Sequence, residues 1–214
     1  ENLALLNDIV GAKQFADVDT IAEINELARI ANAIQTVAAG GTASPALTVE
    51  DLAKIGLDTS KVTTDNLAAV LAAIAGKDNG GGETDSLGEL QSILDSVTAT
   101  VQTAMNDIRD AAQNNTATDN SPSVTLYDLV GVIGVNADNV AAINSALNTT
   151  SIDGSKADTP AKVQTIVDAY KAILAEANDA DNTAGDGTTD VTPTVDPTPA
   201  QYAAIGADIG AAAT

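Results

Sequence analysis

The chain has 214 residues, with 9 basic against 30 acidic side chains, a formal charge of −21, and no Cys, His or Trp. It therefore offers no disulfide, no thiolate or imidazole metal ligand, and no Cys or His for catalysis. A charge this negative repels phosphate backbones and anionic membrane surfaces, so nucleic acid and membrane are poor partners.

The 44 % apolar content rests on 41 alanines with Val, Ile and Leu, and hardly on aromatics. Such side chains suit close-packed helices in small bundles and cannot fill one thick core. They are also periodic, unlike those of a disordered chain. No apolar run reaches the roughly 18 residues of a membrane-spanning helix. No basic stretch followed by an apolar one opens the chain, which reads as mature or as an excised piece.

Residues 1–10, ENLALLNDIV, predict a medium-length helix. The next helix starts at a capping box, Thr20-x-x-Glu23, where hydroxyl and carboxylate satisfy reciprocal backbone donors. Its Ile21, Ile24, Leu27, Ala31, Ile34 and Ala38 recur at steps of three and four, which marks one apolar face. A polar connector covers 39–46. Thr48 then caps a short helix that Gly56 ends. Residues 65–74, DNLAAVLAAI, repeat the medium helix. Ser86-x-x-Glu89 opens a long one, with Leu87, Leu90, Leu94, Val97, Val101, Met105 and Ile108 on one face as far as about Gln113.

Beyond the connector at 114–123, the same order returns. A short helix is predicted from a Thr125 cap to Gly134, a medium one over 138–147, and a long one from Thr159-Pro160 through Val163, Ile166, Tyr170, Ile173 and Ala177. Residues 179–197 are rich in Asp, Thr, Gly and Pro and read as an extended spacer. Thr198-Pro199 opens a last short helix, ended by Gly206. Tyr170 and Tyr202 fall on apolar faces and are read as core.

These phrases recur in fixed order, and their spacing agrees. Asn66 stands as far before Asp85 as Asn139 does before Asp158, and the step from Asn2 to Asp19 is shorter by only two positions. The chain is therefore read as all-α, a tandem array of small three-helix bundle modules, each short, medium and long. Residues 45–122 and 123–178 are complete modules, and 179–197 is the linker. Residues 1–44 are the last two helices of a split module, and 198–214 carry the first helix of the next. The step from Gly56 to Asn66 equals the step from Gly206 to Asn2 of a copy following directly after Thr214. On this reading 214 residues are one period of a longer array, or one subunit completed head to tail. The interface would set Thr198, Tyr202 and Ile205 against Leu3, Leu6, Ile21 and Ile24.

Carboxylates are the remaining chemistry. Asp179, Asp181, Asp186 and Asp190 lie in a Gly-containing loop and form the candidate metal site, for Ca²⁺. The EF-hand pattern fails there, with Thr183 at position five, Ala184 in place of Gly, and Asp190 in place of Glu. A solvated acidic linker is the plainer reading. Asp85 and Asp158 serve as N-terminal charges on the long helices. Gly80, Gly81 and Gly82 run into acids, not a Lys-Ser/Thr pair, so they form no phosphate cradle. The acids fall on polar faces and loops rather than across a cleft, so no enzyme and no cofactor are expected.

The phrases "DVDTIAEINELARIANAI" and "LTVEDLAKIG" resemble the helical tandem repeats of very large bacterial secreted and surface proteins. The likeness runs from Glu1 to about Asn178 and resumes at Pro199. It rests on Asn2, Leu3, Asp19, Thr20, Glu23, Asp51, Leu52, Ile55, Gly56, Asn66, Leu67, Ile205 and Gly206. The module at 123–178 departs, with a short junction after Gly134 and Thr-Pro at 159–160. The resemblance implies an extracellular, adhesin-like or matrix-forming architecture and supplies no catalytic residues. The expected function is a structural repeat unit of a bacterial surface or matrix protein, extended head to tail into a fibre, sheath or stalk, its partners neighbouring copies or repeats. The alternatives are a helical module binding a host or matrix protein, and a calcium-stabilised surface scaffold.

Overall fold

The computed structural model describes residues 2–77, 83–114, 121–177 and 196–210. Among them every regular element is helical and no strand occurs. The α-helices described are α1 (Asn2–Gly11), α2 (Ile21–Ala38), α3 (Val49–Ile55), α4 (Thr64–Ala75), α5 (Leu87–Asn114), α6 (Val124–Leu129), α7 (Val140–Leu147), α8 (Pro160–Ala177) and α9 (Pro199–Ala204). None of them is long and apolar enough to cross a membrane. The chain divides into two compact units, Glu1–Gln102 and Thr103–Thr214, and the division falls within α5.

In the first unit α2 is the central element, packed against α1, α3 and α4. Its buried face is Leu27, Ile30, Ala31, Ile34, Val37 and Ala38. Leu5 and Ile9 of α1, Leu52 and Ile55 of α3, Val70 and Ile74 of α4, and Leu90 and Leu94 of α5 join it in one aliphatic core. Ile21 and Ile24, expected on the same face, do not join it: Ile24 is half-buried and Ile21 is 74 % exposed. In the second unit α8 packs against α7 and α9. Its buried residues include Ile108, Tyr127, Val130, Ile143, Leu147, Val163, Ile166 and Val167.

Helix starts follow the expected chemistry. Thr20 accepts from the Glu23 amide while Glu23 accepts from the Thr20 amide, and Ser86 and Glu89 exchange the same pair. The Thr159 hydroxyl accepts from the Lys162 amide. One start differs from the sequence reading. The α6 cap is Ser123, which accepts from the Leu126 amide at 3.3 Å, and Thr125 is the second residue of the helix. The closing glycine is Gly131, at φ 79°, three positions before Gly134. Tyr127 and Val130 lie three residues apart on the inner face of the helix, both fully buried.

With that correction the short helices align at one constant interval. Thr48, Ser123 and Thr198 are the evenly spaced caps. Gly56, Gly131 and Gly206 follow in the left-handed conformation, at φ 105°, 79° and 77°. Beyond each glycine a backbone amide reaches back into the helix, from Leu57 to Leu52, from Val132 to Tyr127 and from Ala207 to Tyr202. These bonds satisfy carbonyls that the last turn would leave open.

Candidate functional site

Two of the short helices, α3 and α9, pack on the long helix before them. α3 is held on α2 by charge. Arg29 pairs with Asp51 and with Glu26, and Lys54 reaches Glu26 at 3.0 Å. Lys13, from the turn after α1, donates to the Lys54 carbonyl. Hydrogen bonds from the Arg29 guanidinium and then the Lys54 ammonium hold the Glu26 carboxyl down at about 2. In the second unit α9 packs against α8. Gly206 lies so close to Thr149 and Ile152 that no side chain fits between them.

The segment just past the short helix is gripped from the other side, by the long helix that follows. Gln91, the fifth residue of α5, accepts from the Asp58 amide at 2.8 Å and donates to the Asp58 carbonyl at 3.3 Å. Gln164, the fifth residue of α8, does the same to Ile133, at 2.8 and 3.0 Å. Each glutamine also donates to an aspartate one turn on, Asp95 or Asp168. Asp58 and Ile133 both stand two positions past their closing glycine.

A second asparagine-based grip recurs before the medium helices. Asn66 accepts from the Thr63 amide and donates to the Lys61 carbonyl; Asn139 accepts from Asn136 and donates to Gly134. Gly134, expected as a helix stop, instead supplies that carbonyl. Inside the second unit the Tyr127 hydroxyl donates to Asn144 Oδ1 at 2.7 Å, and Asn144 donates on to the Pro122 carbonyl. Burial pushes the Tyr127 phenol well above its ordinary value.

The interface residues named from sequence fall into two groups. On α1 and α2, Leu3 is 62 % and Ile21 74 % exposed, while Leu6 and Ile24 are half-buried. Leu67 and Leu87, the counterparts of Leu3 and Ile21 on α4 and α5, pack against the aliphatic core, as Leu6 itself does, and Val70 and Leu90, the counterparts of Leu6 and Ile24, are fully buried. In the other group, Thr198 caps α9, and Tyr202 and Ile205 are only half-buried. Leu52 and Ile55, or Tyr127 and Val130, hold those places in α3 and α6 at full burial. Both groups thus fall short of the burial that the same positions reach elsewhere in the chain.

The candidate calcium ligands Asp179, Asp181, Asp186 and Asp190 lie outside the described residues. Among the described residues no group of three or more acidic side chains is placed to hold a metal. Asp158 pairs with Lys162 at 2.6 Å, and Asp85 accepts weakly from Gln35. A hollow of about 800 Å³ between the start of α6 and α7 is lined by Ser123, Val124, Val140, Asn144, Ser145 and Asn148 among others, without an ionisable side chain. Apolar periodicity does not single out Gln91, Gln164 or the Arg29–Asp51 pair. A signal for the glutamines is nonetheless present: they are separated by the same interval as Asn66 and Asn139. Comparison of the chain with protein-family models, with curated proteins and with solved structures finds no match.

Proposed function

We propose that this chain is a structural repeat unit of an extracellular surface or matrix scaffold, built from consecutive three-helix modules that continue head to tail. The observation that carries this reading is the recurrence of one connecting device at a constant interval. Three short helices start at a hydroxyl cap and close at a left-handed glycine; α3 and α9 pack on the long helix before them, and the residues past α3 and α6 are gripped by the long helix that follows. Such a device transmits stability from module to module, as nearest-neighbour coupling does in repeat proteins. A module of short amphipathic helices is marginal alone. The absence of Cys and the acidic, Lys-poor composition suit a long-lived secreted protein.

Two measurements test the reading. A polypeptide of two copies joined directly should unfold at a higher temperature than the single chain, because the junction adds an interface. Antibody against the folded chain should label intact cells of its source. Two copies that melt as two independent chains, or labelling only after lysis, would contradict the proposal.

A further inference from the structure

Resting on the scaffold reading, we propose that the α1–α2 pair is the docking site for residues 198–208 of a second copy of this chain, with Asn25 hydrogen-bonding the Asp208 backbone across the junction.

The occupant is identified by what the chain already does twice. The fifth residue of α5 grips Asp58 and the fifth residue of α8 grips Ile133. The fifth residue of α2 is Asn25, a shorter member of the same amide chemistry. It is exposed and makes no side-chain hydrogen bond among the described residues. The backbone position due to be gripped next is Asp208, which lies as far beyond Ile133 as Ile133 lies beyond Asp58. Its loop is already shaped for this. Asp208 accepts from the Gly210 amide at 2.9 Å, as Asp58 accepts from the Ser60 amide at 2.9 Å. The apolar side chains agree. Leu3 and Ile21 hold the places of Leu67 and Leu87 yet stay exposed, while Tyr202 and Ile205 are half-covered. Joining the two faces gives both groups the burial that their counterparts have.

The test is sedimentation equilibrium of the full chain over a wide concentration range in about 0.15 M salt. Mass should rise with concentration. Ile21→Asp should weaken association at least about tenfold, the loss expected from one large aliphatic contact. Asn25→Gln restores the residue used at the other two grips and should tighten association several-fold. Ile133→Asp removes an equally exposed aliphatic elsewhere and should change nothing. A chain that stays monomeric at every concentration overturns the proposal, and so do Ile21→Asp and Asn25→Gln variants that associate like the parent. If the two-copy polypeptide is nonetheless stabilised, only this docking site fails; if it is not, the scaffold reading fails with it.

Discussion

Gln91 holds the backbone of Asp58 at both of its polar atoms, and Gln164 holds Ile133 in the same way. One side chain thus fixes the exit of a short helix onto the next long one. Replacing either glutamine by Ala removes both backbone hydrogen bonds, and the one to Asp95 or Asp168, and leaves a turn to water. Each variant should lose about 1–2 kcal/mol by denaturant unfolding, the net worth of one or two such bonds. Loss of less than a few tenths would show that the grip is incidental.

The buried phenol of Tyr127 makes a second prediction. Tyr127→Phe strands Asn144 Oδ1 in the interior and should cost about 1–3 kcal/mol. The sign of the pH effect follows from the raised value. In the unfolded chain the phenol ionises near the ordinary value of about 10. The folded chain keeps its proton to higher pH, so stability is full below that value and falls as pH rises beyond it. Tyr127→Phe should flatten that alkaline fall, which a stability-against-pH series will read.

Glu26 behaves in the opposite direction. Its carboxyl titrates at about 2 in the folded chain against an ordinary value of 4.5. Its contribution is therefore present above 4.5 and fades as pH falls towards 2. Carboxyl chemical shifts in an acid titration should show Glu26 ionised at pH values where an ordinary glutamate is half protonated. Arg29→Met should return it most of the way and loosen α3 from α2.

Gly206 and Gly56 share a left-handed backbone but differ in surroundings. An Ala at either should cost about 1 kcal/mol from conformation alone. At Gly206 the added carbon also collides with Thr149, whereas at Gly56 it meets only the tip of Lys13. Gly206→Ala should therefore be the more damaging, with loss of amide protection confined to α9 and the turn before α8. Equal effects would remove the evidence for close packing there.

The charge of −21 opposes compaction. The melting temperature should rise with ionic strength or divalent cations. A melting temperature flat across a salt series would show that the carboxylates are too well dispersed in solvent to repel.

The helices themselves are legible in the sequence because period and caps are local. Apolar steps of three and four, Thr20 with Glu23, and Ser86 with Glu89 report on chain within one turn. The register of α6 is not legible, since Ser123 and Thr125 both precede an apolar run and both Gly131 and Gly134 follow it. What decides it is the burial of Tyr127 and its bond to Asn144, a contact 17 residues distant. The glutamine grips escape the apolar pattern for the same reason, since a polar side chain bonding to backbone 33 or 31 residues away leaves no mark on it; only their repeat at the interval of Asn66 and Asn139 marks them. The match of Leu3 to Leu67 and of Ile21 to Leu87 is legible because the phrases they belong to recur, and only the structure reveals how exposed Leu3 and Ile21 are.

The most direct measurement is amide hydrogen exchange at Asp208 in a polypeptide of two joined copies. In the first copy that amide should be protected to the level of the gripped amides of Asp58 and Ile133, while in the last copy it exchanges like an open loop. Equal, rapid exchange at both copies would contradict the head-to-tail account.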